Sequence, residues 1–70
     1  MNHKMAQQIG AKMKRARLAR HLSQKEVAEK ANISVNHYAR IERGEVKIYL
    51  ETLEQIVKAL KVKSSNIISF

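Results

Sequence analysis

Residues 23–44, SQKEVAEKANISVNHYARIERG, decide how this chain folds. Ser23 and Glu26 have the capping-box spacing, in which the serine hydroxyl accepts from a free amide at a helix start and the glutamate reaches back to the cap. Val27, Ala28 and Ala31 then form the inner face of a short helix, with side chains small enough for a neighbouring helix to pack closely. Asn32-Ile33 turns the chain, Ser34 is placed to cap a second helix, and Gly44 stops it. At about 100° per residue, that second helix brings Asn36, Arg40 and Arg43 within roughly 60° of one another and sends Tyr38 and Ile41 to the far side. One face is apolar and the other is a row of two-pronged donors.

That division carries a functional implication. Asn and Arg are the side chains whose forks match the major-groove edges of adenine and guanine, and a valine such as Val35 can meet a thymine methyl. Ala39 is small enough to let the helix approach DNA. Arg43 belongs by angle with the readers, but its place at the helix end makes it a better clamp on the backbone. His37 sits at the flank, where a phosphate suits it as well as a base.

Outward from this segment the apolar residues repeat at three and four, with no proline and two glycines to interrupt them. The chain therefore reads as all-α. Ala6, Ile9, Met13 and Ala16 line a first helix that starts between Lys4 and Ile9 and runs to about Arg20, with Leu18 off the stripe. Leu50, Leu53, Ile56, Val57 and Leu60 give a fourth helix with a broad apolar face, on which Glu54 and Lys58 form an exposed i,i+4 pair. Ser64 can cap a short fifth helix holding Ile67 and Ile68. The expected architecture is a five-helix domain that occupies residues 1–70 without linker or repeat.

Composition narrows the function. The formal net charge is +8, and residues 1–25 hold Lys4, Lys12, Lys14, Arg15, Arg17, Arg20 and Lys25 without a single acid. Such a surface attracts polyanions. There are no cysteines, so disulfides and thiolate metal sites are excluded, and His3, His21 and His37 are too scattered for a ligand cluster. No metal or cofactor is expected. No paired carboxylates, nucleophile-base constellation or phosphate-cradling glycine loop suggests an enzyme. The amino terminus lacks an apolar run of signal-peptide length, and no stretch approaches the ~20 apolar residues that span a bilayer. The expectation is a soluble, cytoplasmic protein, small enough that a second chain would help to stabilise it.

Two capped helices joined by a tight turn are a helix-turn-helix. The ordered set Ile9-Gly10, Arg17, Leu22-Ser23-Gln24, Val27-Ala28, Ile33-Ser34, Ile41-Glu42-Arg43-Gly44, Leu50-Glu51-Thr52-Leu53 and Ala59-Leu60 resembles the phage repressor and Cro type of helix-turn-helix protein, the xenobiotic-response-element family. The resemblance implies that Val35 to Arg43 lies in the major groove, with Ser34, Val35, Asn36 and Arg40 nearest the bases. It also implies backbone contacts from Gln24, Lys25, His37, Arg43 and Lys47, with helix amides near Gln24 and Lys25 facing a phosphate. Glu42 lies off the reading face, where an acid facing DNA would be repelled but one facing Arg17 would be paired; in the family that pair is a partly buried bridge. The chain departs from the family at His21 and Asn32, where glycine is usual at positive φ, and at Ile48 and Tyr49, where a proline and a capping hydroxyl are common.

Function then divides two ways. The first expectation is a sequence-specific regulator, repressor or controller, that binds double-stranded DNA as a homodimer on a near-palindromic operator, with no ligand-sensing domain. The second is a small adaptor or antitoxin-like module that holds a protein partner, such as a toxin, or RNA. Ile67, Ile68 and Phe70 could close a small core or form an isologous dimer patch.

Overall fold

The structure, a computed structural model, describes residues 2–67. Helix α1 spans His3–Ala19 and starts earlier than apolar periodicity indicates. Its cap is Asn2, whose Oδ1 accepts from the Met5 amide at 2.8 Å. Ala6, Ile9 and Met13 turn inward along with Gly10 and Arg17. The helix ends where His21 takes a positive φ of 56°.

Helix α2, Gln24–Ala31, carries the full capping box: the Glu26 amide donates to Ser23 Oγ at 3.0 Å and the Ser23 amide to Glu26 Oε1 at 2.8 Å. A cap of this kind is worth about 1 kcal/mol. It ends at Asn32, which adopts the left-handed conformation at φ 62°, a region Asn enters with little strain. Helix α3, Val35–Glu42, starts at Ser34, whose Oγ accepts from the His37 amide at 3.0 Å. Gly44 follows at φ +73°, and a Cβ there would come within 2.6 Å of Gln7 Cα, so only glycine lets α1 cross so closely.

Helix α4, Leu50–Leu60, has Tyr49 at its N-cap position and no side-chain cap there. Leu53, Ile56, Val57, Ala59 and Leu60 are buried, but Leu50 is 79 % exposed and does not belong to the apolar face. It sits in the first turn, one step before the stripe dips under α2. Glu54 accepts from Lys58 Nζ at 3.3 Å.

The expected fifth α-helix is absent from the described residues: four α-helices are followed by one 3-10 turn, Ser64–Asn66. The Asn66 amide donates to Lys63 O at 2.9 Å, three residues back rather than four. Lys61, at φ 56°, has already ended α4, and Ser and Asn side chains compete with the backbone for hydrogen bonds.

The helices pack α1 on α3, α2 on α3 and α2 on α4. Met13, Val27, Tyr38, Ile41, Ile56, Leu60 and Ile67 are the large side chains wholly removed from water between them. No helix of the described residues is long and apolar enough to cross a membrane.

Candidate nucleic-acid interface

Packing against α1 and α2 orients α3. Tyr38 and Ile41 are buried beneath it, whereas Ser34, Val35, Asn36, His37, Arg40 and Arg43 face outward. Lys25 and Lys47 are exposed as well, and Gln24 is half-buried. His37 is tied to this surface through its backbone amide, which Ser34 caps.

Beneath the surface, Arg17 and Glu42 meet. Arg17 Nε donates to Glu42 Oε2 at 2.7 Å and Nη2 to Oε1 at 3.3 Å, and Arg17 Nη1 donates to Leu22 O at 2.9 Å. The same guanidinium therefore holds both α3 and the entry to α2. Gln24 Nε2 donates to Glu42 Oε1 at 3.0 Å, so one N–H of its amide braces α3 and the second is left for another acceptor. Burial works to raise the Glu42 pKa, but the hydrogen bonds from Arg17 and Gln24 overcome it and hold the carboxyl below its ordinary value. The Glu42 hydrogen bond in turn raises Arg17.

Tyr38 packs against this pair with its hydroxyl buried. Burial, then the Glu42 carboxylate, drives the phenol pKa up, so the group stays protonated. Its Oη makes no hydrogen bond of acceptable geometry.

One feature of the interface was not legible in the sequence. Glu45, just past the end of α3, takes Arg43 in a bidentate pair, Nε to Oε2 at 2.6 Å and Nη2 to Oε1 at 3.3 Å, and reaches Arg40 Nε at 3.7 Å. Spacings of two and five residues are not helical pairings, so the only signal was an acid beyond Gly44. The supposed dimer residues fare differently from one another. Ile67 is 1 % exposed and packs in the chain's own core; Ile68 and Phe70 lie outside the described residues. Among the described residues no group of three or more His, Cys, Asp or Glu could hold a metal.

Comparison with known proteins agrees with this geometry. A helix-turn-helix family model matches residues 13–66. The immunity repressor protein of Bacillus phage phi105 is 40 % identical over 60 residues; the match takes in 86 % of this chain but 42 % of the repressor, so the chain spans under half of that relative. Among solved structures, the restriction-modification controller protein C.AhdI from Aeromonas hydrophila superposes with a TM-score of 0.87 at 21 % identity, over 90 % of this chain and 96 % of the other. The clp gene regulator ClgR from C. glutamicum gives 0.87 at 22 %, over 90 % and 82 %. These two likenesses establish the fold alone. The family match over residues 13–66 places the chain in the helix-turn-helix family, of the phage repressor and Cro type.

Proposed function

We propose that this chain binds double-stranded DNA sequence-specifically as a homodimer, in the cytoplasm and without catalysis, and regulates transcription as a repressor or controller. The observation that carries the reading is the two-sided α3: its buried side is locked to α1 and α2, while Ser34, Val35, Asn36 and Arg40 are all exposed. Asn36 pairs with an adenine edge, Arg40 with a guanine, and Val35 meets a thymine methyl. Lys25, His37, Arg43, Lys47 and the second amide N–H of Gln24 hold phosphates and set the register.

The homodimer follows from the length of the reader. An eight-residue helix is about 12 Å long and covers only about four base pairs. Such a site recurs by chance every few hundred base pairs, so useful specificity needs two copies. A two-fold pair with reading helices roughly 34 Å apart matches one turn of DNA and demands a near-palindromic site.

Selection of bound duplexes from a random pool tests this. The expected product is two inverted half-sites about one helical turn apart; a pool that remains random after selection at physiological salt would sink the proposal.

A further inference from the structure

Glu45 is an acid standing among the cations of the proposed interface. The turn after α3 puts it there. Gly44, at φ +73°, reverses the chain, and the Glu45 amide donates to Arg40 O at 3.0 Å, so residue 45 returns over the end of the helix. Both carboxylate oxygens are then engaged by Arg43, and Arg40 Nε approaches one of them at 3.7 Å. All three side chains are about half exposed. Folding does not require the carboxylate, because the backbone closes the turn and an exposed ion pair contributes little to stability.

DNA binding gives the carboxylate a use. Sequence-independent affinity is almost wholly a matter of cations meeting phosphates, with counterions released in proportion. An arginine held by a protein carboxylate offers less of its charge to that process. We propose that Glu45 is a specificity-determining residue, which holds Arg43 in a bidentate pair and so suppresses binding to DNA of the wrong sequence. The inference rests on the DNA-reading role of α3. It discriminates because the two kinds of complex use phosphates differently. On random DNA the protein is free to shift until every available cation finds a phosphate. On its operator, base contacts fix the register, and a released Arg43 gains only what its fixed position reaches.

The test is Glu45→Gln, which keeps the side chain's shape and removes its charge. Binding to a random-sequence duplex and to the duplex selected from a random pool is measured by fluorescence anisotropy across a salt series. Random-duplex affinity should rise about two- to fivefold, the scale of an exposed ion pair. The slope of log K against log salt should steepen by about 0.9, one extra phosphate contact. The selected duplex should gain less, so the ratio of the two affinities falls. In an Arg43→Ala background, Glu45→Gln should steepen the slope by much less, since only Arg40, at the longer 3.7 Å, is left to release. An unchanged slope, a ratio that holds or rises, or the same steepening without Arg43 would each overturn the inference. A native chain that prefers the selected duplex while Glu45→Gln behaves identically defeats this inference alone; a native chain with no preference defeats the DNA-reading role and the inference with it.

Discussion

Arg17 and Glu42 stand 25 residues apart in the chain and meet at 2.7 Å, joining α1 to α3 with both side chains almost fully removed from water. Each serves as the other's solvent. Gln24 adds a third hydrogen bond to the carboxylate, so the orientation of α3 is fixed from two sides.

Arg17→Ala would leave the Glu42 carboxylate buried with one amide donor. The expected loss is about 3 kcal/mol in urea unfolding, well above that of an exposed arginine. Arg17→Lys should recover only part of it, because an ammonium cannot engage both carboxylate oxygens and Leu22 O at once. A loss under about 1 kcal/mol for the alanine would show the bridge to be dispensable.

Acid should undo the same bridge. The Glu42 pKa in the folded chain lies below its ordinary value of 4.5. Its stabilising contribution is therefore complete above that value and disappears as pH falls through the lower folded value. Thermal midpoints should be flat near neutrality and drop below pH 4.5, with a shallower drop for Glu42→Gln. Equal slopes for the two proteins would assign acid lability to other carboxylates.

Gly10→Ala probes the crossing that makes the bridge possible. A Cβ at Gly10 would come within 2.4 Å of both Ile41 O and Glu42 O, backbone atoms that cannot swing aside. The substitution should cost at least about 2 kcal/mol and displace α3 from α1. A native-like thermal midpoint would mean that the two helices separate more easily than this packing implies.

Lys61→Gly should move stability the other way. Lys61 ends α4 in the left-handed region at φ 56°, where a side chain is disfavoured and glycine is not. A gain of about 0.5–1 kcal/mol is expected, a rise of several degrees in the midpoint of a domain this size. The same change at Asn32 should gain less, because Asn tolerates that region.

Arg40→Ala and Lys47→Ala separate reading from holding. The first should cost about 1–3 kcal/mol on the selected site and relax preference at one base pair, whereas the second should weaken all sequences alike and flatten the salt slope by about one unit. Footprints and salt series that fail to distinguish the two variants would reverse the assignment of Arg40.

Local chemistry was sufficient for most of the architecture. Ser23 with Glu26, Ser34 and Gly44 mark helix ends through hydrogen bonds and backbone angles that depend on a few adjacent residues, and the inward positions Met13, Val27, Tyr38 and Ile41 follow from a fixed helical period. The same logic overreached at the carboxyl end, where Ser64 resembled a cap but only a 3-10 turn formed, and at Leu50, which a stripe drawn on a wheel included although α4 begins there in the open. Three relationships needed the folded chain: the closeness of α1 and α3 at Gly10, the Glu42 carboxylate shared by Arg17 and Gln24, and the capture of Arg43 by Glu45. Periodicity records which way a side chain points along its own helix. Which groups meet across a crossing or around a left-handed turn depends on how whole helices dock, and that is decided by the packing of the core.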